Sequence, residues 1–168
     1  MQQTINKSNL VNGILFIGGL LSLKFLLGAL KIGILSFIAF SISILIIYLL
    51  YRFATQYRDN ECNKEISYGK AFGFLFSLYF WGSVITSVII LLYTGLINPD
   101  FLAGFTNEVL TAYDKLGVKV DDTVITVLEA LYQPIPFALL NIFSGALSAA
   151  FWGLILAAFV KKEKTIFE

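Results

Sequence analysis

The chain has 168 residues, a net charge of +1, a hydrophobic fraction of 58%, a mean hydropathy of +0.82 and only 14% charged residues. Soluble domains carry about 25% charged residues, so a chain this apolar cannot cover its own surface with polar groups, and lipid must be the solvent for much of it. Twelve scattered Lys and Arg with no basic stripe exclude a nucleic-acid partner, and one cysteine (Cys62) with no histidine excludes an internal disulfide and Cys-cluster or His metal sites.

Four apolar runs are long enough to cross a bilayer. The first covers about residues 10–30 and contains Lys24. The stretch before Lys24 is too short to span ~30 Å at ~1.5 Å per residue, so the helix is carried past it. Lys24 then lies near one end, where its amine can reach the headgroups. A cleaved signal peptide is the rival reading, but no small-x-small cleavage site follows the run. Gly28, Lys31 and Gly33 predict a tight turn, and the second span covers about 32–51, closed by Tyr48, Tyr51 and Arg52 as interface anchors. The third covers about 71–96. The fourth covers about 137–160, after the helix breakers Pro134 and Pro136, and ends at Lys161-Lys162.

The 98–136 connection is polar but patterned. Asn98-Pro99-Asp100 reads as a helix start with Asn98 as N-cap. Val109, Leu110, Tyr113 and Leu116 repeat at helical spacing before Gly117, a C-terminal cap. A second start at Asp121-Asp122 precedes Val124, Val127, Leu128 and Leu131. Two short amphipathic helices are therefore expected. They could serve as a lid, a partner-docking face or an interfacial segment; the simpler reading, which we favour, is that they cap the ends of the spans. The fold class is all-α: a polytopic single membrane domain of four transmembrane helices plus these two.

Eight of the twelve basic residues fall on the side shared by the N-terminus, the 53–70 connection and the C-terminus, and four (Lys24, Lys31, Lys115, Lys119) on the other. The positive-inside rule then puts both termini in the cytoplasm. The long connection carries six acids against two bases, an acidic external cap that is most simply a solvated face.

Helices in lipid associate through small residues and polar contacts rather than through hydrophobic drive. The fourth span has Gly145, Ala149, Gly153 and Ala157, each four apart, and the third begins with Gly69, Gly73 and Ser77 at the same spacing. These stripes are expected to pack spans three and four together; the fourth-span stripe could also serve a homodimer.

Enzyme signatures are absent: there is no histidine to activate a nucleophile and no phosphate-binding glycine loop. Asp121-Asp122 suits a helix dipole better than a catalytic pair. No Asp, Glu or Arg interrupts a span core, as an ion-coupled carrier would require. Asn141, Ser144 and Ser148 share a face of the fourth span and are candidates for lining a path or for interhelical hydrogen bonds, the latter being favoured. No cofactor is expected, and the expected partners are membrane lipid and either another membrane protein or further copies of the chain.

One ordered set of segments carries a resemblance: Tyr57-Arg58-Asp59, then Ile66-Ser67-Tyr68-Gly69-Lys70-Ala71-Phe72, then Asn98-Pro99-Asp100-Phe101, and a last span ending Lys161-Lys162. In this order the chain resembles domain-of-unknown-function family 4199, small bacterial membrane proteins found largely in Bacteroidota. Tyr68 stands where the family often has Phe, and Glu65 where a Gly is usual. The resemblance implies four spans and an inner-membrane location, and no activity. By their own chemistry, Ser67 can N-cap the third span and Lys70 can anchor it at the headgroups. The alternative is a cytoplasmic docking site using Arg58, Lys64 and Lys70. The leading functional expectation is a non-enzymatic accessory or scaffold protein acting by helix association. A small oligomeric channel or transporter comes second, and a lipid-handling membrane enzyme third.

Overall fold

The computed structural model describes residues 7–162, and Lys164, which entered the charge count above, lies outside them. Six α-helices follow one another: α1 (Lys7–Ala29), α2 (Gly33–Glu61), α3 (Tyr68–Leu92), α4 (Asp100–Lys115), α5 (Asp122–Leu131) and α6 (Pro134–Val160). Four of them, α1, α2, α3 with its extension to Ile97, and α6, are long and apolar enough to cross a membrane. α4 and α5 are the two short helices of the connection.

The helix ends show which local signals operate. α2 runs ten residues past Tyr51 because nothing between Arg52 and Glu61 breaks a helix; it stops where Asn63 (φ 51°) and Lys64 (φ 64°) turn left-handed. The turn between α1 and α2 places Lys31, not a glycine, at positive φ (53°), its N–H donating to the Gly28 carbonyl. Pro134 sits in the first turn of α6 rather than ahead of it, where its missing N–H costs nothing. Asn98 is not an N-cap: its backbone N–H closes a π-helical turn, Tyr93–Ile97, on the Tyr93 carbonyl, and Pro99 occupies the cap position. Ser67 does hold the N-cap position of α3 in extended backbone, but its hydroxyl makes no capping hydrogen bond. Gly117 (φ 69°) does cap α4. The Gly117 N–H donates to Asp114 and the Val118 N–H to Tyr113, the paired bonds of a Schellman motif.

α3 is the hub. α6 packs along one side of it and α1 along another, while α2 leans mainly on α1. Leu75, Leu78 and Ala71 of α3, Ile17 of α1, and Ala157 and Val160 of α6 are almost fully buried. At one end of the bundle, Ile66 and Lys162 exchange backbone hydrogen bonds as a single antiparallel bridge (2.9 and 3.0 Å), and Asn9 of α1 donates to Glu61 of α2. We call this the bridge end; α4 and α5 occupy the opposite, cap end.

Only the first half of α4 covers the spans. Leu102 and Thr106 are buried, whereas Tyr113 and Leu116 of the expected apolar face are exposed, as are Val124, Val127 and Leu131 of α5. The buried face begins at Leu102, about two turns before Val109, where Phe101 and Phe105 anchor the helix.

Candidate functional site

The site follows from how two helices cross α3. At Gly82 a Cβ would lie 3.2 Å from the Gly18 backbone nitrogen, so α1 and α3 meet backbone to backbone. The next residue, Ser83, is turned by about 100° around the helix and meets α6, where a Cβ on Gly145 would overlap the Ser83 side chain. Gly82 and Ser83 thus seat α1 and α6 on neighbouring faces of α3. α1 and α6 form no packed interface with each other, and the wedge between them is a cleft.

Its volume is about 540 Å³. The floor is α3, with Tyr79, Ser83 and Thr86; α1 supplies Leu21, Lys24 and Phe25; α6 supplies Phe137, Asn141, Ser144 and Ser148. At the cap end α4 closes over it with Phe101, Phe105 and Glu108, one face of that helix. Two aromatic triads hold α4 there. Phe25, Tyr93 and Phe101 stack edge to face with centroids 5.6–5.9 Å apart, tying α4 to α1. Phe105, Tyr132 and Phe137 tie it to α6, with centroids 5.1–6.3 Å apart. Lys31 and Glu108, both about half exposed, form an ion pair at the rim.

The cleft is blind. Tyr79 and Ser148 are neighbours, and Tyr79 lies about 10 Å along α3 from Thr86. Farther toward the bridge end Phe72 packs on Gly153, and Ala149 and Ala157 are fully buried in the α3–α6 seam.

The polar groups around the cleft are mostly committed to holding helices together. Asn141 donates from Nδ2 to Ser87 Oγ (2.8 Å) and to the Ser83 carbonyl (3.3 Å). Across α3, Ser22 donates to the Gly18 carbonyl (2.8 Å) with its Oγ 3.3 Å from Thr86 Oγ1, and Thr86 donates to the Gly82 carbonyl (3.1 Å). Lys24 differs. It is half-buried in the cleft wall, and among the described residues it has no hydrogen-bond or ion-pair partner. Among the described residues no three Cys, Asp or Glu side chains gather as metal ligands.

The expected site residues divide accordingly. Asn141, Ser144 and Ser148 all line the cleft, and Asn141 also makes the interhelical bonds. Gly145, Ala149, Gly153 and Ala157 are all buried in α6. Gly69, Gly73 and Ser77 are not their counterparts. Nothing lies within 4 Å of a Cβ at Gly69 or Gly73, and Ser77 bonds back to the Gly73 carbonyl (2.8 Å). That stripe points away from α6; the close contacts of α3 are at Gly82 and Ser83, which carry no four-residue repeat to announce them. Of the expected docking residues, Arg58 is used inside the fold: its guanidinium grips Asp59 through two hydrogen bonds and donates to the Val160 carbonyl (3.2 Å). Lys64 and Lys70 are exposed, Lys70 with its amine 5.8 Å over the Tyr57 ring. The pairing of Lys31 with Glu108, 77 positions apart, leaves no local signal, and neither does the approach of Phe101 and Phe105 to Phe25 and Phe137.

The model of the family described as "Protein of unknown function (DUF4199)" matches residues 13–162. The chain belongs to that family. Comparison with curated proteins and with solved structures yields no match. The DUF4199 match takes in α1 from Gly13 onward, all of α2, α3 and α6, and the whole cleft. The Ile66–Phe72 stretch that carried the resemblance builds the bridge end of this DUF4199 chain: Ile66 makes the backbone bridge, Tyr68 donates its hydroxyl to the Leu154 carbonyl (3.0 Å), Ala71 is fully buried and Phe72 covers Gly153. These contacts lie at the bridge end, away from the cleft lining.

Proposed function

We propose that this protein is a non-enzymatic accessory protein of the bacterial inner membrane that works by association, and that its working part is the α1–α3–α6 cleft, which holds an amphiphilic molecule drawn from the surrounding bilayer. One observation carries this reading: an apolar, aromatic-walled cleft of small-molecule size, open between two spans, with a few convergent polar groups. The excess of basic residues at the bridge end supports a cytoplasmic position for that end, with the cleft toward the outer leaflet. The test is native mass spectrometry of the protein extracted from its own membrane in mild detergent. A stoichiometric small-molecule adduct is expected on the wild type and not on Ser144→Trp, whose indole fills the cleft. An adduct retained in S144W, or none in the wild type, would end the reading.

A transport role is the second reading, favoured by Asn141, Ser144 and Ser148 descending one wall. The packing beyond Tyr79 and Ser148, where Phe72 covers Gly153 and both Ala157 and Val160 are buried, weighs against it, since a path has to continue that way. Solute flux in liposomes that falls with Asn141→Leu would reverse this ranking.

A further inference from the structure

We infer that the molecule held in the cleft is a membrane lipid with an anionic headgroup, and that Lys24 is the residue that binds it. The inference rests on the binding reading above and gives it a ligand class. α1 crosses from Asn9 to Ala29, and Lys24 lies about 7.5 Å inside its cap end. An ammonium at that depth is costly unless it reaches water or a counter-charge. Lys24 does not lean out along the lipid-facing surface of α1; it lines the cleft.

Inside the cleft no protein group neutralises it. The lining contains one carboxylate, Glu108, and Lys31 already engages it. Two amines and one carboxylate leave the rim with one unmatched positive charge. A cationic ligand would be repelled there, and a neutral one would leave Lys24 as it is. A phosphate headgroup gives the amine a charge-assisted hydrogen bond, about twice as strong as one between neutral groups. On the facing wall, Asn141 has both its donated bonds committed to α3, which leaves Oδ1 for a headgroup hydroxyl. The Phe25–Phe101 and Phe105–Phe137 walls suit the first part of an acyl chain. A volume of about 540 Å³ is that of a drug-sized ligand, so the headgroup and the top of one chain enter while the rest stays in the bilayer through the gap between α1 and α6.

The experiment is a titration of full-length delipidated protein in a neutral detergent, with binding followed by native mass spectrometry. The probes are phosphatidylglycerol, phosphatidylcholine and water-soluble glycerol 3-phosphate; the proteins are wild type, Lys24→Gln, Lys24→Arg and S144W. Phosphatidylglycerol is expected to bind the wild type and Lys24→Arg in preference to phosphatidylcholine. Lys24→Gln should weaken it roughly ten- to hundredfold, the worth of one hydrogen bond to a charged group, and S144W should lose the same component. Lysines elsewhere would still bind anionic lipid in S144W, so unchanged binding there overturns the site. Equal affinity for the two lipids, unaffected by Lys24→Gln but lost in S144W, overturns the anionic headgroup and leaves the cleft as a binding site. Glycerol 3-phosphate matching phosphatidylglycerol overturns the lipid source in favour of a soluble anion. No cleft-dependent binding of any probe overturns this inference alone, provided the native adduct of the preceding test is present; without that adduct both readings fall.

Discussion

Replacing Gly145 with alanine adds one methyl group at the tightest point of the α3–α6 crossing. The new Cβ would overlap both the Cβ and the Oγ of Ser83, and the first of these is fixed to the α3 backbone and cannot rotate away. The hydroxyl is also anchored, donating to the Phe80 carbonyl at 2.7 Å. Relief therefore requires the helix axes to separate by about 1 Å, from overlap to ordinary van der Waals contact. That separation loosens a seam in which Ala149 and Ala157 are fully buried, and stretches the Asn141–Ser87 bond one turn away. Overpacking costs about 1–3 kcal/mol, and a weakened interhelical hydrogen bond adds up to ~1.7 kcal/mol. We expect G145A to lower unfolding stability in detergent by about 2–4 kcal/mol, read from SDS-titration unfolding followed by circular dichroism. Gly73→Ala is the control: nothing lies within 4 Å of its new Cβ, and alanine suits a helix better than glycine, so stability should hold or rise. Ser83→Gly should rescue G145A by removing the side chain it strikes. G145A no less stable than Gly73→Ala, or no rescue by Ser83→Gly, would refute this placement of the seam.

Other consequences can be measured separately. Asn141→Leu should cost about 0.6–1.7 kcal/mol in the same unfolding assay through loss of its bonds to α3; an unchanged midpoint would mean the amide bonds elsewhere. A cysteine at Ser144 should react with a membrane-impermeant maleimide added on the cap side, while one at Leu147, on the lipid-facing side of α6, should not; the native Cys62 is buried and gives little background. Equal labelling of the two would show that the cleft is not distinct from the bilayer surface. Glu108→Gln should change stability by less than about 1 kcal/mol, because its ion pair with Lys31 is about half exposed and water screens it; a larger loss in the unfolding assay would show that this pair, not the aromatic triads, holds α4 over the cleft.

Element order was legible because membrane spans are written in the coarsest signal a sequence has, runs of apolar residues bounded by charge. The boundaries were less so. α2 continues through Tyr57 and Arg58 because helix persistence depends on the absence of a breaker, whereas the span was read from apolarity. The small-residue stripe at Gly145–Ala157 pointed to a packed face correctly placed on α6. Its partner on α3 could not be read the same way, since Gly82-Ser83 is an adjacent pair serving two different neighbours and no single-face periodicity reveals it. Asn141 stood out as the polar interruption of an apolar span; its amide makes interhelical bonds to α3, and the residue also lines the cleft. The rest of the cleft comes from four separate helices and the α1–α2 turn. Lys24 was visible as an interruption but read as snorkelling along its own helix, because the vacancy beside it exists only once α1 and α6 have both docked on α3.

The third helix being the hub has a consequence for how the protein is made. During synthesis α1 and α2 can insert as a hairpin, and α3 can join α1 at Gly18 and Gly82, but the most extensive helix–helix packing has to wait for α6, the last of these four to be made. Until then the α6-facing side of α3 lies against lipid. It tolerates this because Ser83 and Ser87 each donate to a carbonyl of their own helix, so no hydroxyl proton is left bare in hydrocarbon. Asn141 has no such local remedy: both hydrogen bonds of its side-chain amide end on α3. The newly inserted α6 therefore carries an amide that only α3 can satisfy, and completion of the bundle is directed by the late arrival rather than by the helices already in place.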